Sequence, residues 1–452
     1  MTTDPGSSGT LTFRPGEAGY DAETSGFQTG FALRPDVVFA ASGPQDVVAA
    51  VAHAAAAGLP VGVHATGHGL PDTAEGGVLV GTRRMDSVTV DAAARTARIG
   101  AGARWGAVVE AAAPHGLAPL NGSAPSVGAV GYTLGGGLGI LAREFGYTAD
   151  HVRSVDVVTA DATLRHVTPD SDPELFHGLL GGGAGLGVVT SLEVGLVPLT
   201  RLYGGSLGYD GRAVDPAALV HAYTRWAATV PDTLTSSLAA LVHPDLPSMP
   251  PALRGTYLVS VRIACTGSAA EGERLVAPLR AALGPAVSDT LREMPYGDSH
   301  TIHSDPDFPH PYYGDSRFLD TGPGPGGLDA GAVAELVARC GPGADGMHIV
   351  QLNQLGGALA RPAPNAVPHR DAGWLVRILS PLGEGGRDAA RAHHARAFSA
   401  IAGQSAGRSL NFAFGGADRA EGIYDPQTRK RLAALKAAYD PANLFRRNYG
   451  VA

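Results

Sequence analysis

The first two hundred residues alternate short apolar runs, typical of strands, with amphipathic runs, typical of helices. An Ala-rich stretch at 44–58 begins with proline and ends with glycine, which predicts a helix with Ser42 or Asp46 as its capping residue. Residues 60–63 predict a strand that runs into a loop, and a second helix is expected at about 104–114.

From about residue 201 the pattern changes to longer helices separated by apolar strands. A Pro-, Gly- and His-rich segment at 299–316 interrupts this pattern, and an irregular loop of that length in a compact chain is more often functional than not. The segments that predict helices are 215–230, 271–283, 328–340 and 428–439, and those that predict strands are 257–265, 347–355 and 374–382.

Composition places the chain among globular proteins of two or three domains. It has 452 residues, of which 44% are hydrophobic and 17% charged. The net charge of −8 argues against a nucleic-acid-binding protein. Its lysines are Lys430 and Lys436, and neither follows a glycine, so the phosphate-binding motif of P-loop NTPases is excluded.

Cysteine usage and the N-terminal residues favour a cytoplasmic protein. Cys265 and Cys340 are too few for a disulfide scaffold, and their apolar surroundings predict buried free thiols. The first ten residues are polar and lack the pattern of a signal peptide, and no apolar run reaches 18 residues. We therefore expect no membrane span.

Several glycine, serine and histidine motifs match the sequence patterns of known sites, but the secondary structure predicted around them does not fit those sites. The strings that fit a dinucleotide-binding turn do not lie between a strand and a helix, so a Rossmann site is disfavoured. The two G-x-S-x-G strings lack the strand–turn–helix setting of a hydrolase elbow. His64 and His68 have the spacing of a helical metal pair, but the glycines beside them argue against a helix, so we expect no metal.

An ordered set of blocks remains after these exclusions, and together they carry a family resemblance. The chain resembles the FAD-linked oxidases of the vanillyl-alcohol oxidase/p-cresol methylhydroxylase (PCMH) superfamily, in particular the berberine-bridge-enzyme-like branch. The resemblance covers 36–200 and 408–452 well and the middle of the chain more weakly. The blocks are 64–69, 122–139, 145–152, 157–167, 172–176, 181–190 and 439–448.

The resemblance implies an α+β fold, the two-domain PCMH-type FAD-binding fold. Residues 1–200 and 408–452 would form a discontinuous FAD-binding domain. Residues 201–407 would form a substrate-binding domain, an antiparallel sheet backed by helices.

The same resemblance places the FAD-binding residues. Loop amides at 64–68 would receive the pyrophosphate, glycines at 135–139 would let the backbone approach the cofactor, and 183–189 would close around the adenine end. The expected cofactor-binding residues are His64, Ala65, Thr66, Gly67, His68, Gly69, Ser123, Val127, Gly128, Gly131, Tyr132, Gly135, Gly136, Gly137, Gly139, Gly187, Val188, Val189 and Asn448.

The resemblance also implies how the flavin is attached. The histidine that these enzymes bond to the 8α carbon of FAD falls on His68. The arginine usual four residues earlier is replaced by His64, and Ala124 stands where some relatives carry a second, cysteinyl bond. We expect a single covalent link. The small Val127 at the oxygen-gating position favours an oxidase over a dehydrogenase.

The substrate side departs from the family. Arg377 occupies the approximate position of a catalytic glutamate, and Ser409 and Leu410 precede Asn411 where a tyrosine is usual. Arginine cannot act as a base, so we expect Arg377 to bind a carboxylate or enolised oxygen of the substrate. The base is expected in the long loop, where the candidates are Tyr312, Tyr313 and His310. Further candidates are Gln351, Asn353 and Gln354 on one strand, where 351 and 353 share a face and 354 does not, and the expected substrate contacts are Gln351, Asn353 and Asn411.

The predicted function is oxidation of a small molecule, with hydride transfer to flavin N5 and reduction of O2 to H2O2. A role in secondary metabolism follows from the family, and we expect no nucleic-acid or membrane partner. Because both usual bases are replaced, two alternatives stay open. One is a redox-neutral cyclase or isomerase that keeps FAD as a scaffold, and the other is a non-enzymatic ligand carrier.

Overall fold

A computed structural model describes residues 9–70, 72–183, 185–245, 247, 249, 251, 253–321, 327–415 and 421–447. Up to residue 200 the chain forms short strands and helices. The strands are β1 (Leu11–Phe13), β2 (Leu33–Arg34), β3 (Val37–Ala40), β4 (Val61–His64), β5 (Ala74–Glu75), β6 (Val78–Gly81), β7 (Val88–Asp91), β8 (Thr96–Gly100), β9 (Leu117–Ala118), β10 (Val152–Val158), β11 (Leu164–Val167), β12 (Val188–Gly195) and β13 (Val197–Pro198). The helices are α1 (Tyr20–Thr24), α2 (Pro44–Ala57), α3 (Trp105–Ala112), α4 (Ala129–Leu134), α5 (Ala142–Phe145) and α6 (Pro173–Gly182).

Helix α2 covers a small sheet of order β1-β3-β6-β4, in which β3, β6 and β4 are parallel. Proline at the first position and the left-handed Gly58 (φ +65°) bound the helix, as the sequence predicts. The expected side-chain cap was wrong. Gly43 is the N-cap, and the carboxylate of Asp46 instead accepts from the Ser42 amide (2.8 Å) and the Thr10 hydroxyl (2.7 Å).

A second, antiparallel sheet has the order β11-β10-β12-β8-β7. Helices α3, α4 and α6 pack with it in one hydrophobic cluster that includes Trp105, Leu134, Val155, Leu179 and Leu192. These residues bury the side of the sheet that faces the helices. The short helix α4 is thereby fixed against the core at one edge, and its other side is open to the cavity described below.

Beyond residue 200 the chain forms a larger antiparallel sheet, backed by helices as the resemblance predicts. Its strands are β14 (Arg201–Asp210), β15 (Leu234–Val242), β16 (Tyr257–Cys265), β17 (Ser288–Asp289), β18 (Arg292–Pro295), β19 (Tyr312–Leu319), β20 (Ile349–Gln354), β21 (Trp374–Pro381) and β22 (Ser405–Gly407). Their order is β17-β14-β16-β15-β20-β21-β19-β22, with β18 also paired to β14. The helices are α7 (Pro216–Ala227), α8 (Ala269–Leu283), α9 (Ala330–Arg339) and α10 (Gly386–Phe398). The division into domains stays a prediction.

The expected loop at 299–316 is shorter than the sequence indicates. Residues Tyr296–Ile302 form a 3₁₀ helix, and β19 already begins at Tyr312. Every residue of β19 pairs with one of β21, from Tyr312 opposite Pro381 to Leu319 opposite Trp374. This pairing with a distant strand overrides the turn-forming Gly314 and Asp315, so the two tyrosines lie in a strand and not in a loop.

The C-terminal helix α11 (Pro426–Tyr439) returns to the first half of the chain and packs on α6. The buried ammonium group of Lys436 donates to the carbonyl of Gly185 (2.9 Å) and to the carboxylate of Asp440 (2.6 Å). Beyond it, the Val61 amide donates to the carbonyl of Leu444 (2.8 Å), which joins the last described segment to β4.

Cys265 and Cys340 are both buried and free, as predicted. Among the described residues, no helix is both long and apolar enough to cross a membrane.

Candidate active site

A cavity of about 1280 Å³ lies between the loops of the first half and the open face of the large sheet. A site for one drug-sized ligand has roughly 300–1,000 Å³, so this cavity has room for a cofactor and a substrate together. One wall is made of loop backbone and glycines, and the other is made of strands β15, β16, β20 and β21.

The loop after β4 supplies the first wall. The carbonyls of Thr66 and Gly67 accept from the amides of Phe27 and Gln28, both at 3.0 Å. Gly67 has φ +73°, and a Cβ there would come within 2.8 Å of the Cα of Gly26. The amides of Thr66, Gly67 and His68 donate to no residue in the described part of the chain. Unpaired successive amides of this kind form a cradle for an anion.

The ring of His68 contacts its own loop and two neighbouring segments of the chain. Its ring stacks on Phe27 with centroids 3.9 Å apart and an interplanar angle of 12°. Nδ1 lies 2.9 Å from the Thr66 hydroxyl, and Nε2 lies 3.2 Å from the Ser126 hydroxyl. Burial, with a smaller contribution from Arg104, lowers the pKa of His68 to about 3. The imidazole is therefore neutral at physiological pH.

His64 lies at the end of β4 in the same wall. Burial, together with the nearby Arg83, lowers its pKa to about 4. Neither ring nitrogen has a hydrogen-bond partner among the described residues. Buried polar atoms are normally paired, so these nitrogens indicate that a polar ligand group belongs in the cavity next to them.

Glycines let the backbone of α4 and β12 reach the cavity. A Cβ on Gly135 would overlap the Oδ1 atom of Asn411, and a Cβ on Gly187 would lie 2.7 Å from the carbonyl oxygen of Val158. Gly131 differs, because a Cβ there would meet nothing within 4 Å and would stand in the cavity itself.

The structure brings most of the predicted cofactor-binding residues together. Gly136, Gly137 and Val188 do not line the cavity, because the glycines face Val367 and Thr148 and Val188 is packed in the core of the first sheet. Asn448 lies outside the described residues. Those that line the cavity are His64, Ala65, Thr66, Gly67, His68, Gly69, Ser123, Val127, Gly128, Gly131, Tyr132, Gly135, Gly139, Gly187 and Val189.

The sheet side of the cavity carries a row of polar side chains. Gln351 is at its centre. Its Oε1 atom accepts from Nε of Arg377 (3.0 Å) and from the guanidinium of Arg262 (3.4 Å), and its amide nitrogen donates to Ser237 (3.2 Å). Arg377 also lies over the ring of Phe412, 4.4 Å from the centroid. Burial lowers the pKa of Arg377 to about 10, so its guanidinium stays charged at neutral pH.

Asp305 and His303 enter the cavity from the loop before β19. Burial by itself would raise the pKa of Asp305, but His303 and Arg262 outweigh it and the pKa is lowered. The carboxylate is therefore ionised, and it accepts a hydrogen bond from the Ser123 hydroxyl. Burial and the positive charge of Arg262 lower the pKa of His303.

The two tyrosines predicted as bases point to opposite faces of β19. Tyr312 lines the cavity, and its hydroxyl donates to the backbone carbonyl of His68 (2.6 Å). Tyr313 packs against the ring of His394, with centroids 4.9 Å apart, and does not line the cavity. The predicted substrate contacts Gln351, Asn353 and Asn411 all line it, and so does Arg377.

Comparisons with known proteins agree with this geometry. A family profile described as "FAD binding domain" matches residues 35–168. (R)-6-Hydroxynicotine oxidase from Paenarthrobacter nicotinovorans is 28% identical over 468 residues, which span 97% of this chain and 95% of the relative. The crystal structure of 6-hydroxy-D-nicotine oxidase from Arthrobacter nicotinovorans has 26% identity and a TM-score of 0.85, with 100% of both chains covered. Over nearly its whole length the chain is therefore similar to an FAD-linked oxidase, and its first part matches an FAD binding domain.

The match to the FAD binding domain and the similarity to these oxidases make the protein an FAD-dependent oxidoreductase. Its fold is also shared by more distant proteins. Glucooligosaccharide oxidase from Acremonium strictum, whose FAD is described as 6-S-cysteinyl, 8α-N1-histidyl, has 21% identity and a TM-score of 0.82 over 96% of this chain and 95% of its own. The unpaired loop amides, the unsatisfied His64 and the glycine-lined wall fit the FAD that the matched domain implies.

Sequence reasoning missed several residues of the site. Arg262 is the one charged residue in the apolar run 257–265, and that isolation was a signal that could have identified it. His303 and Asp305 lie in the long segment at 299–316 that the sequence marks as functional, although neither was singled out, and Phe27 has no signal in the sequence.

Proposed function

We propose that the protein is an oxidase that carries FAD on one covalent bond, through His68, and that oxidises a small molecule with O2 as the electron acceptor. When bound, FAD supplies hydride acceptance at N5 and the return of electrons to O2, which yields H2O2. The observation that carries the proposal is the environment of His68, a neutral imidazole fixed in the wall of an FAD-sized cavity.

The hydrogen bonds of His68 favour reaction at Nδ1. The Gly128 amide donates to the Thr66 hydroxyl oxygen (3.3 Å), which leaves the Thr66 proton to be donated to Nδ1 of His68. Nε2 then carries the ring proton and donates it to Ser126. In this tautomer the Nδ1 lone pair accepts from the Thr66 hydroxyl, so that hydroxyl would have to turn away before Nδ1 could bond to the flavin 8α carbon, while stacking on Phe27 holds the ring in place.

A single link is supported by the residue at the second attachment position. Ala124 lines the cavity there and has no group that could bond to a flavin. Cys265 and Cys340 are buried in the large sheet and its helices and do not line the cavity. Oxygen as the acceptor is supported by Val127, a small side chain that also lines the cavity.

The absorption spectrum of the purified protein before and after acid precipitation tests the attachment. We expect the wild-type pellet to be yellow and the His68→Ala pellet to be colourless. His310→Ala is the matched control, because His310 also lines the cavity and contacts the ring of Phe27 (centroids 5.4 Å apart), and it should keep a yellow pellet. A colourless wild-type pellet would contradict the covalent link.

The net reaction is tested separately, by adding candidate substrates without oxygen. An oxidase should lose its flavin colour under these conditions and regain it, with one H2O2 per turnover, when air is admitted. Conversion of substrate with no loss of colour would instead support the redox-neutral alternative, and binding without conversion would support the carrier.

A further inference from the structure

Two guanidinium groups face the cavity from the large sheet without a carboxylate partner. Arg262 lies on β16 and Arg377 on β21, and neither forms an ion pair with a described residue. The acceptor that they share is Gln351, whose amide oxygen is neutral. Burial lowers the pKa of both arginines, so both have lost part of their hydration.

The charges of Arg262, Arg377 and the acidic group near them do not sum to zero. Asp305 is the one acidic residue among the described residues that line the cavity, and the charges of both arginines act on it. His303 lies 3.4 Å from the guanidinium of Arg262, and burial together with that positive charge lowers its pKa. Arg262 and Arg377 bring two positive charges to this part of the cavity and Asp305 brings one negative charge, which leaves one excess positive charge.

From this arrangement we propose that the substrate is a carboxylic acid, and that its carboxylate is bound jointly by Arg262 and Arg377. The proposal names the substrate class of the proposed oxidase and therefore rests on the proposed function. A carboxylate supplies the single negative charge that the site lacks, and its two oxygens can accept one guanidinium each or a bidentate pair from one. A phosphate dianion would exceed the charge that the site can balance.

The surroundings of the two arginines suit an acid with an apolar body. Phe412 lies under the guanidinium of Arg377, and Leu241, Met347 and Leu379 also line the cavity. The side-chain oxygen of Asn353 has no partner in the described part of the chain and can accept from one polar group of the substrate. These features favour an aryl or alkyl carboxylic acid over a sugar acid.

Calorimetric binding of acid and amide pairs to the purified flavoprotein tests the proposal. The probes are phenylacetate with phenylacetamide, and cinnamate with cinnamamide, because each pair differs in charge and hardly in shape. At least one acid should bind about 10- to 100-fold more tightly than its amide, as expected for charged hydrogen bonds. Equal affinities within both pairs, or no binding of either acid, would overturn the proposal.

Variants assign the effect to the two arginines. Arg262→Met and Arg377→Met should each weaken binding of the acid about 10- to 100-fold and leave the amide unchanged. Arg377→Lys, which keeps the charge but not the planar fork, should give an intermediate affinity. Arg212→Met is the control, since Arg212 is exposed and does not line the cavity, and it should bind like the wild type. Unchanged acid binding in both Met variants would overturn the assignment.

Further readouts distinguish failure of the carboxylate site from misfolding of a variant and from failure of the oxidase proposal. Flavin content and unfolding temperature show whether a variant folds, and the Lys variant keeps the test decisive if a Met variant does not. Calorimetry needs no turnover, so an acid that binds through the arginines but is never oxidised would contradict the oxidase and not the carboxylate site. Oxidation of neutral substrates alone would contradict the carboxylate site and not the oxidase.

Discussion

Tyr312 and Tyr313 are neighbours in sequence, yet only one of them can meet a substrate. Alternate residues of a strand face opposite sides, so Tyr312 faces the cavity and Tyr313 faces the helices behind the sheet. We expect Tyr312→Phe to slow anaerobic flavin reduction by roughly 10²- to 10⁴-fold, the usual contribution of a general base. Tyr313→Phe is the matched control and should be reduced at nearly the wild-type rate. Stopped-flow absorbance measures both, and an unaffected Tyr312→Phe would remove it as the base.

A site residue can be predicted from the sequence when it lies in a short motif, and not when only the fold brings it to the site. The glycines and His68 lie in blocks with fixed spacing, and most of them line the cavity as expected. Arg262 and Asp305 come from separate parts of the chain and acquire a role only where the fold places them beside Arg377. Their roles depend on charge balance within the folded cavity, which no short stretch of sequence specifies.

A substitution in helix α4 tests whether the cofactor lies against this helix. Gly131→Ala adds a methyl group that clashes with no protein atom and improves helix propensity by up to about 1 kcal/mol. The variant should therefore unfold at the wild-type temperature or above it. Because the methyl group occupies the cavity wall, we expect its flavin-to-protein ratio to fall several-fold.

The control for this experiment lies one turn away. Gly135→Ala would displace Asn411, whose amide donates to the carbonyl of Tyr132 (3.0 Å), so both the unfolding temperature and the flavin content should fall. Normal flavin content in Gly131→Ala would place the cofactor away from α4. Calorimetry and the absorbance ratio of flavin to protein give the two readouts.

Helices and strands form as the sequence predicts where nearby residues determine them. They differ from the prediction where pairing with a distant strand determines the conformation. Helix α2 begins and ends at the proline and glycine that predict it. The first part of strand β19 was expected as a loop because its Gly and Asp residues favour turns, but eight consecutive pairs with β21 hold the strand extended. The predicted helices and strands of the second half are correct in type because their apolar patterns are long.

A histidine cluster behind the large sheet affects the stability of the whole molecule. His348 stacks on His393 with centroids 3.6 Å apart, and its Nδ1 lies 2.6 Å from the hydroxyl of Ser380, which also contacts His394 (2.8 Å). Burial lowers the pKa of all three imidazoles, and that of His348 falls to about 4. The folded protein thus keeps them neutral in mildly acidic solution.

This cluster predicts a loss of stability in acid. The unfolded chain takes up protons near pH 6.5, while the folded cluster does not, so the free energy of unfolding falls as the pH drops from about 7 towards 4. We expect the unfolding temperature to fall over that window and His348→Gln to reduce the slope. His115→Gln, at an exposed position, should leave the slope unchanged. Equal slopes in all three proteins would show that the cluster does not titrate on unfolding.

The hydrogen bond between Val61 and Leu444 has a consequence for the growing polypeptide. About 380 residues separate its two ends, and a ribosome adding about 5–20 residues per second needs roughly 20–80 s to make them. Leu444 and Phe445 complete the hydrophobic cluster that α2 and the first sheet begin. Until Leu444 and Phe445 are made, the part of this cluster that they cover is exposed on the nascent chain. A chaperone can bind this apolar surface during the same interval.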